Sequence, residues 1–269
     1  MAAFEFDRHE VWEPFFHDWM LEVAPADVMQ AAAQPQEYQN DARDIFIDAI
    51  GKAELTDFLA AKLADHSVKV FHGTRVSDLV LSQIRLEGLK PLDLASRKAT
   101  LISELGAHPN WAAQRDRLDA ILHKYGPGWE RSGAGKREDG GVHVCLSRNG
   151  LLKSSNHYLT LGAEVDNHIT RDLFSDESGF ALLERARKPW LVSFDLDFTN
   201  AELAANPCNS SYESLPFITD KFFTAWAFRL SEPEWTPGLA LDSTALRVHG
   251  VVAPHRLTIE AISDEELRR

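Results

Sequence analysis

The stretch that decides the fold is residues 67–91, SVKVFHGTRVSDLVLSQIRLEGLKP. Its first residues, SVKVF, are rich in β-branched and aromatic side chains and predict a short strand. The tetrapeptide HGTR at 72–75 follows as a turn, and residues 76–87 have the apolar spacing of a helix. Gly88 marks the end of that helix, because glycine is common just beyond a helix C-terminus. The sequence therefore predicts a strand, a turn and a helix in succession.

The residues before this stretch are predicted to be helical. Apolar and aromatic side chains recur there three and four residues apart, as on one face of a helix, and Pro35 interrupts the pattern. No pattern of catalytic residues accompanies them. We therefore predict two parts: an N-terminal helical region at 1–66 and a second domain at 67–269.

Strands and helices are both expected in the second domain. Residues 95–124 are predicted to form a long helical stretch, and residues 200–242, which contain four prolines, to be mostly irregular. Four further strands are predicted from β-branched and alternating patterns: residues 141–147, 190–198, 246–252 and 257–262. This mixture predicts the α+β class.

Composition excludes several classes of protein. The 269 residues are 44% hydrophobic and 26% charged, which is typical of globular domains. A net charge of −13, from 28 basic and 41 acidic residues, disfavours broad nucleic-acid binding. The two cysteines have no zinc-site spacing, the N-terminus does not resemble a secretory signal, and no apolar run approaches the roughly 18 residues that cross a bilayer. We expect a soluble cytoplasmic protein with no membrane partner and no metal.

A second motif follows the strand predicted at 141–147, GVHVCLS. The sequence KSSNHY at 153–158 predicts the start of a helix near Ser154 or Ser155. Tyr158 stands three residues after Ser155, about one helical turn away, so the two side chains are expected to point the same way.

Taken together, the strand, HGTR turn and helix, and the strand GVHVCLS followed by KSSNHY, resemble the ADP-ribosyltransferase superfamily. This family includes the diphtheria-toxin-like toxins and the poly(ADP-ribose) polymerases. The resemblance implies a split antiparallel β-sandwich, in which two small sheets pack face to face with an NAD cleft between them. It also implies that NAD is the substrate.

The resemblance assigns roles to individual side chains. The implied NAD-binding residues are His72, Gly73, Thr74, Arg75, Ser155 and Tyr158. His72 would hydrogen-bond the adenosine ribose, and Gly73, which lacks a Cβ, would let its backbone approach the nicotinamide carboxamide. Ser155 would donate its hydroxyl to the same carboxamide. The ring of Tyr158 would stack on the nicotinamide, where an aromatic face favours positive charge.

The family usually also places an acid, most often Glu, at the head of a late strand. Here that position falls near Ala245, which cannot serve. Asp242 is the nearest carboxylate, whereas Glu232 and Glu234 lie farther upstream. The predicted catalytic residues are therefore His72, Tyr158 and Asp242.

The resemblance implies transfer of ADP-ribose from NAD to a protein or nucleic-acid acceptor, with release of nicotinamide. A toxin, effector or defence protein of this kind would need an antitoxin or other inhibitory partner. Two alternatives stay open. RNA 2′-phosphotransferases that use NAD also carry an HGT motif and rely on arginines, for which Arg75 is the counterpart. Alternatively, the chain binds NAD or ADP-ribose without catalysis, and residues 1–66 form an interaction surface.

Overall fold

The computed structural model describes residues 3–125, 141–154, 156–175, 177–205, 215–236 and 245–268. Within these ranges the α-helices are α1 (His9–Val23), α2 (Ala26–Ala32), α3 (Gln39–Ile50), α4 (Lys52–Leu63), α5 (Asp78–Glu87), α6 (Leu94–Leu105), α7 (Trp111–Gln114), α8 (Leu118–Lys124), α9 (Arg148–Lys153), α10 (His157–Thr160), α11 (Glu164–Phe174), α12 (Ser178–Ala186), α13 (Phe198–Ala204) and α14 (Phe217–Ser231). The strands are β1 (Ser67–Val76), β2 (Gly141–Cys145), β3 (Lys188–Asp197), β4 (Ala245–His249) and β5 (Thr258–Ala261). Short 3-10 helices cover Arg115–Arg117, Pro254–Arg256 and Glu266–Arg268.

The five strands form one open antiparallel sheet in the order β4-β2-β1-β3-β5. At one edge β3 pairs with β5 in a register that runs from Trp190 opposite Ala261 to Ser193 opposite Thr258. The α+β class is confirmed. The expected pair of face-to-face sheets is not what the described strands form, because β1 pairs with β2 on one side and β3 on the other. These strands therefore share one hydrogen-bonded layer.

The chain divides into two compact units by its internal contacts. Unit 1 comprises Met1–Val70, Cys145–Gly150 and Asp195–Arg247; unit 2 comprises Phe71–Val144, Leu151–Phe194 and Val248–Arg269. The N-terminal helices thus belong with two later stretches of the chain. A domain boundary between residues 66 and 67 stays a prediction.

Unit 1 has an aromatic core built around α14. The rings of Trp12 and Phe222 lie 5.1 Å apart between centroids, and those of Phe46 and Trp226 lie 5.2 Å apart. All four side chains are fully buried. Burial of this much aromatic surface is a large contribution to the stability of the unit.

The presence of α14 corrects the prediction that residues 200–242 are mostly irregular. Eleven of its fifteen residues are buried, so its buried positions are not confined to one face and its sequence lacks the one-sided spacing of a surface helix. Pro216 is its N-cap residue and Pro233 follows its C-terminus. These prolines therefore flank the helix, where proline is tolerated, and do not interrupt it.

Unit 2 has a leucine-rich core with a buried ion network beside it. Its core residues include Leu101, Leu105, Leu118, Leu122, Ile169, Leu173 and Leu183. The long helical stretch predicted at 95–124 is interrupted after α6, where Gly106 is the C-cap residue. The carboxylate of Asp166, fully buried, lies 2.7 Å from Arg187 Nη1 and 3.1 Å from Arg97 Nε. Arg187 also contacts Glu104, so each buried charge has an opposite charge beside it.

Candidate functional site

The HGTR tetrapeptide lies within β1. The sequence predicted a turn there, but β1 continues to Val76 because it has a strand partner on each side. Side chains alternate between the two faces of a strand. His72 and Thr74 are half-buried on one face, whereas Gly73 and Arg75 are buried on the other.

The imidazole of His72 is held by a neighbouring main-chain carbonyl. Its Nδ1 lies 2.7 Å from the oxygen of His143. A carbonyl only accepts, so Nδ1 carries the proton and Nε2 of the neutral ring is an acceptor. Burial lowers the pKa of His72 below its usual value, and the hydrogen bond to the His143 carbonyl opposes this in part. At neutral pH the ring therefore presents an unprotonated Nε2.

The second motif, KSSNHY, begins at the last residue of α9 and ends in the first turn of α10. The sequence had predicted one helix from Ser154 or Ser155, and the structure has two short helices instead. Tyr158 is half-buried on α10, with its ring 4.1 Å from that of His157 between centroids and tilted by 42°. Ser155 and Asp242 lie outside the described residues. Their assignments stay predictions.

The structure brings the HGTR motif into contact with two leucines that flank KSSNHY, Leu151 and Leu159. A Cβ on Gly73 would lie 3.0 Å from Leu159 Cγ and 3.3 Å from both terminal methyls of Leu151. Contacts of this kind are shorter than the optimum of about 3.5–4.0 Å between carbon atoms. The space left by the missing Cβ is therefore filled by two leucines. A role for Gly73 towards a ligand would have to come from its main-chain groups.

This contact also defines which face of β1 meets the segment that carries Tyr158. Leu159, the next residue in α10, packs on the Gly73 side of the strand, and the imidazole of His72 projects from the other side. The α10 segment therefore adjoins β1 on the face of Gly73, opposite the His72 imidazole. No sequence pattern indicated this arrangement. Alternation along a strand shows which side chains share a face, but it does not show which of the two faces another helix packs against.

Arg75 is buried and bonded to the protein. Its Nη1 donates to the carbonyl of Leu159 at 3.4 Å and lies 3.2 Å from Asp264 Oδ1. Gly162, which has a φ of +78°, passes close by: a Cβ there would lie 3.3 Å from the Arg75 carbonyl and 3.2 Å from Arg187 Nη1. Arg75 thus links β1 to α10. This engagement does not favour its use as a phosphate-binding arginine, the role implied by the RNA 2′-phosphotransferase alternative.

A carboxylate does lie beside the Tyr158 segment. Oε1 of Glu164, at the start of α11, is 3.7 Å from Nε2 of His157, and the Glu164 side chain is 39% exposed. On one continuous helix, Glu164 would lie six residues after Tyr158 and therefore on a different face. The chain is not one helix here, so that argument does not apply. Among the described residues, no group of three or more acidic, cysteine or histidine side chains could hold a metal ion.

Comparison of this chain with protein-family models, with curated proteins and with solved structures gives no match. In the ranges that the structure describes, none of the helices has the length and apolar character needed to cross a membrane.

Proposed function

We propose that the chain is an NAD-dependent ADP-ribosyltransferase, with an ADP-ribosyltransferase-like core built on the five-stranded sheet. The observation that supports this most is the packing of Leu159 against Gly73. It joins the HGTR segment to the segment that carries Tyr158, although 84 residues separate Arg75 from Leu159 along the chain. Two motifs that resemble one family in sequence order are thus neighbours in space. His72 and α10 lie on opposite faces of β1, so the proposal requires one NAD molecule to reach both.

His72 has a protonation state that suits binding of a ribose. Because its Nδ1 proton is directed at the His143 carbonyl, Nε2 can accept a hydrogen bond from a ribose hydroxyl. The lowered pKa keeps this acceptor available at neutral pH. Tyr158 would contribute its ring face to the nicotinamide, whose positive charge is attracted by the π-electrons.

In the proposed reaction, the bond between nicotinamide and the ribose C1′ breaks. Nicotinamide leaves with the bonding electron pair, and its ring loses the positive charge. A hydroxyl, carboxylate or nitrogen of a protein or nucleic-acid acceptor then forms the new bond to C1′, and any proton it releases passes to a carboxylate. We assign that carboxylate to Asp242. A toxin, effector or defence role, with an inhibitory partner, belongs to the same proposal.

Release of nicotinamide from NAD is the direct test. We expect turnover by the wild-type chain and a loss of at least about 100-fold in His72→Ala and in Tyr158→Ala, as when a group that contacts the reacting substrate is removed. His255→Ala and Tyr38→Ala are matched controls, because both side chains are exposed and lie outside the two motifs. They should retain full turnover.

Three outcomes would oppose the proposal. Turnover retained in both site variants would show that these side chains do not act on NAD. No turnover in the wild type, with NAD raising the unfolding temperature, would leave a binding module instead of an enzyme. Neither turnover nor protection by NAD would remove NAD from the assignment altogether.

A further inference from the structure

A cavity of about 460 Å³ in unit 2 is lined by residues of which none is among the implied NAD-binding or catalytic side chains. One wall is a single face of α5, since Leu81 and Arg85 lie one turn apart on it. The other wall is formed where β3 begins and β5 ends, and the Pro189 carbonyl accepts a hydrogen bond from Ile262 N at 3.2 Å. Cavities of roughly 300–1,000 Å³ are the size that holds small molecules.

The cavity carries a guanidinium that is paired with none of the acids the structure describes. Arg85 lies over the ring of Trp190, with 5.6 Å between its Cζ and the ring centroid. In the described part of the chain no carboxylate lies within ion-pair distance of Arg85. A cation over an aromatic face keeps its capacity to donate hydrogen bonds to an anion in its own plane. The guanidinium is therefore positioned and still able to bind.

A second cation in the lining is only weakly held. Lys188 Nζ lies 3.3 Å from both carboxylate oxygens of Asp78, and both side chains are about two-thirds or more exposed. An exposed pair of this kind contributes little and can be exchanged for another partner. The other acid in the lining, Asp264, is already paired with Arg75. The cavity thus offers two cations and no competing uncommitted acid among its described neighbours.

The remaining walls are apolar. Leu81 and Ile262 are buried, and Pro189 and the indole of Trp190 complete a surface suited to a flat hydrocarbon group. We propose that this cavity binds a small organic anion, whose carboxylate or phosphate pairs with Arg85 and Lys188 and whose flat apolar part packs on Leu81 and Trp190. A polyanion is disfavoured by the net charge of −13.

The test titrates the full-length protein with three aromatic probes by ligand-observed NMR and calorimetry. Benzoate and phenyl phosphate carry the two anionic head groups, and benzamide is the neutral counterpart. We expect at least one anion to bind at least about tenfold more tightly than benzamide, the factor that one charge-assisted hydrogen bond supplies. Comparison of the two anions identifies the head group.

Variants locate the binding. Arg85→Gln should weaken the preferred anion by at least about tenfold. Arg171→Gln is the matched control, because Arg171 also lies over a ring, with its Cζ 5.9 Å from the centroid of Phe180, but does not line the cavity. Ser82→Phe fills the cavity without changing its charge and should abolish binding of all probes. Circular dichroism confirms that each variant is folded.

The proposal is overturned if benzamide binds as well as the anions, if Arg85→Gln binds like wild type, or if Ser82→Phe leaves binding intact. It is also overturned if no probe binds up to about 10 mM, a concentration at which even millimolar affinity would be visible. None of these results depends on NAD turnover, so this site and the proposed enzyme can fail separately.

Discussion

Replacement of Gly73 by Ala tests the contact that joins the two motifs. The new Cβ would lie 3.0 Å from Leu159 Cγ, and because Leu159 is fully buried, rotation about its Cα–Cβ bond would push it into other packed side chains. Relief therefore requires α10 or the side chains around Leu159 to move. Overpacking of this kind costs about 1–3 kcal/mol, and the reduced freedom of the unfolded chain returns about 0.4–1 kcal/mol. We expect a net loss of about 1–2 kcal/mol in the free energy of unfolding.

A double-mutant cycle identifies Leu159 as the cause. Leu159→Ala alone should cost about 2–5 kcal/mol, since the side chain is fully buried. In that background the methyl group that Gly73→Ala adds enters vacated space, so this second substitution should cost less than about 0.5 kcal/mol or stabilise. The Leu151 methyls, at 3.3 Å, are the far ends of a side chain and can adjust.

Urea unfolding followed by circular dichroism measures all three variants, with Thr74→Ser as the control. Thr74 lies on the opposite face of β1, so its change should stay within about 0.5 kcal/mol. If Gly73→Ala is neutral, or costs the same with and without Leu159, the packing described for the two motifs is refuted. If stability falls while nicotinamide release is unchanged, the contact is structural only.

Three further predictions concern stability and reactivity. Asp166→Asn should cost about 3–5 kcal/mol, because it removes the buried carboxylate beside Arg97 and Arg187 and leaves Arg187 with Glu104 alone. Glu10→Gln at the exposed pair with Arg8 should cost under about 1 kcal/mol, and equal melting temperatures for the two variants would contradict this. Burial lowers the pKa of His66, among aromatic rings, and that of His72 below the usual 6.5, so the unfolded chain binds protons more readily than the folded one. The stability that depends on these neutral rings is present above pH 6.5 and is lost as pH falls through the lower folded-state pKa values. Urea titrations from about pH 8 to 5 should show a falling free energy of unfolding, and His66→Phe should make that fall smaller. The same pH dependence in His66→Phe as in the wild type would count against this prediction. Burial raises the pKa of Cys145 to about 12, so at about pH 8 its thiol is almost entirely protonated and unreactive. In a Cys208→Ser variant, an aromatic disulfide reagent should therefore label Cys145 slowly until urea unfolds the chain. Rapid labelling of the native protein would disprove this.

Local patterns in the sequence located most elements correctly. The strand at the start of residues 67–91 and the helix that ends at Gly88 both form, and Gly88 has a φ of +90° that favours glycine. The later strands also form within a few residues of their predicted bounds. These elements are predictable because their signals lie in neighbouring residues.

Features that depend on distant residues could not be predicted. The sequence shows α14 only as an apolar run between prolines, since a helix buried on all sides has no polar face to reveal its period. Likewise, Arg75 looked like a candidate ligand, and its partner Asp264 is 189 residues away. The His143 carbonyl that fixes the tautomer of His72 belongs to the main chain, so no side chain in the sequence could indicate it.

The late position of α14 in the chain has a consequence for synthesis on the ribosome. Trp12, Phe16 and Phe46 are made early, but the helix against which they pack begins only at Phe217. About 170 residues must be translated after Phe46 before that partner exists, which at about 5–20 residues per second takes on the order of ten seconds or more. During that interval a nascent chain exposes the aromatic side chains of its N-terminal helices, and this is when a chaperone would have the most to bind.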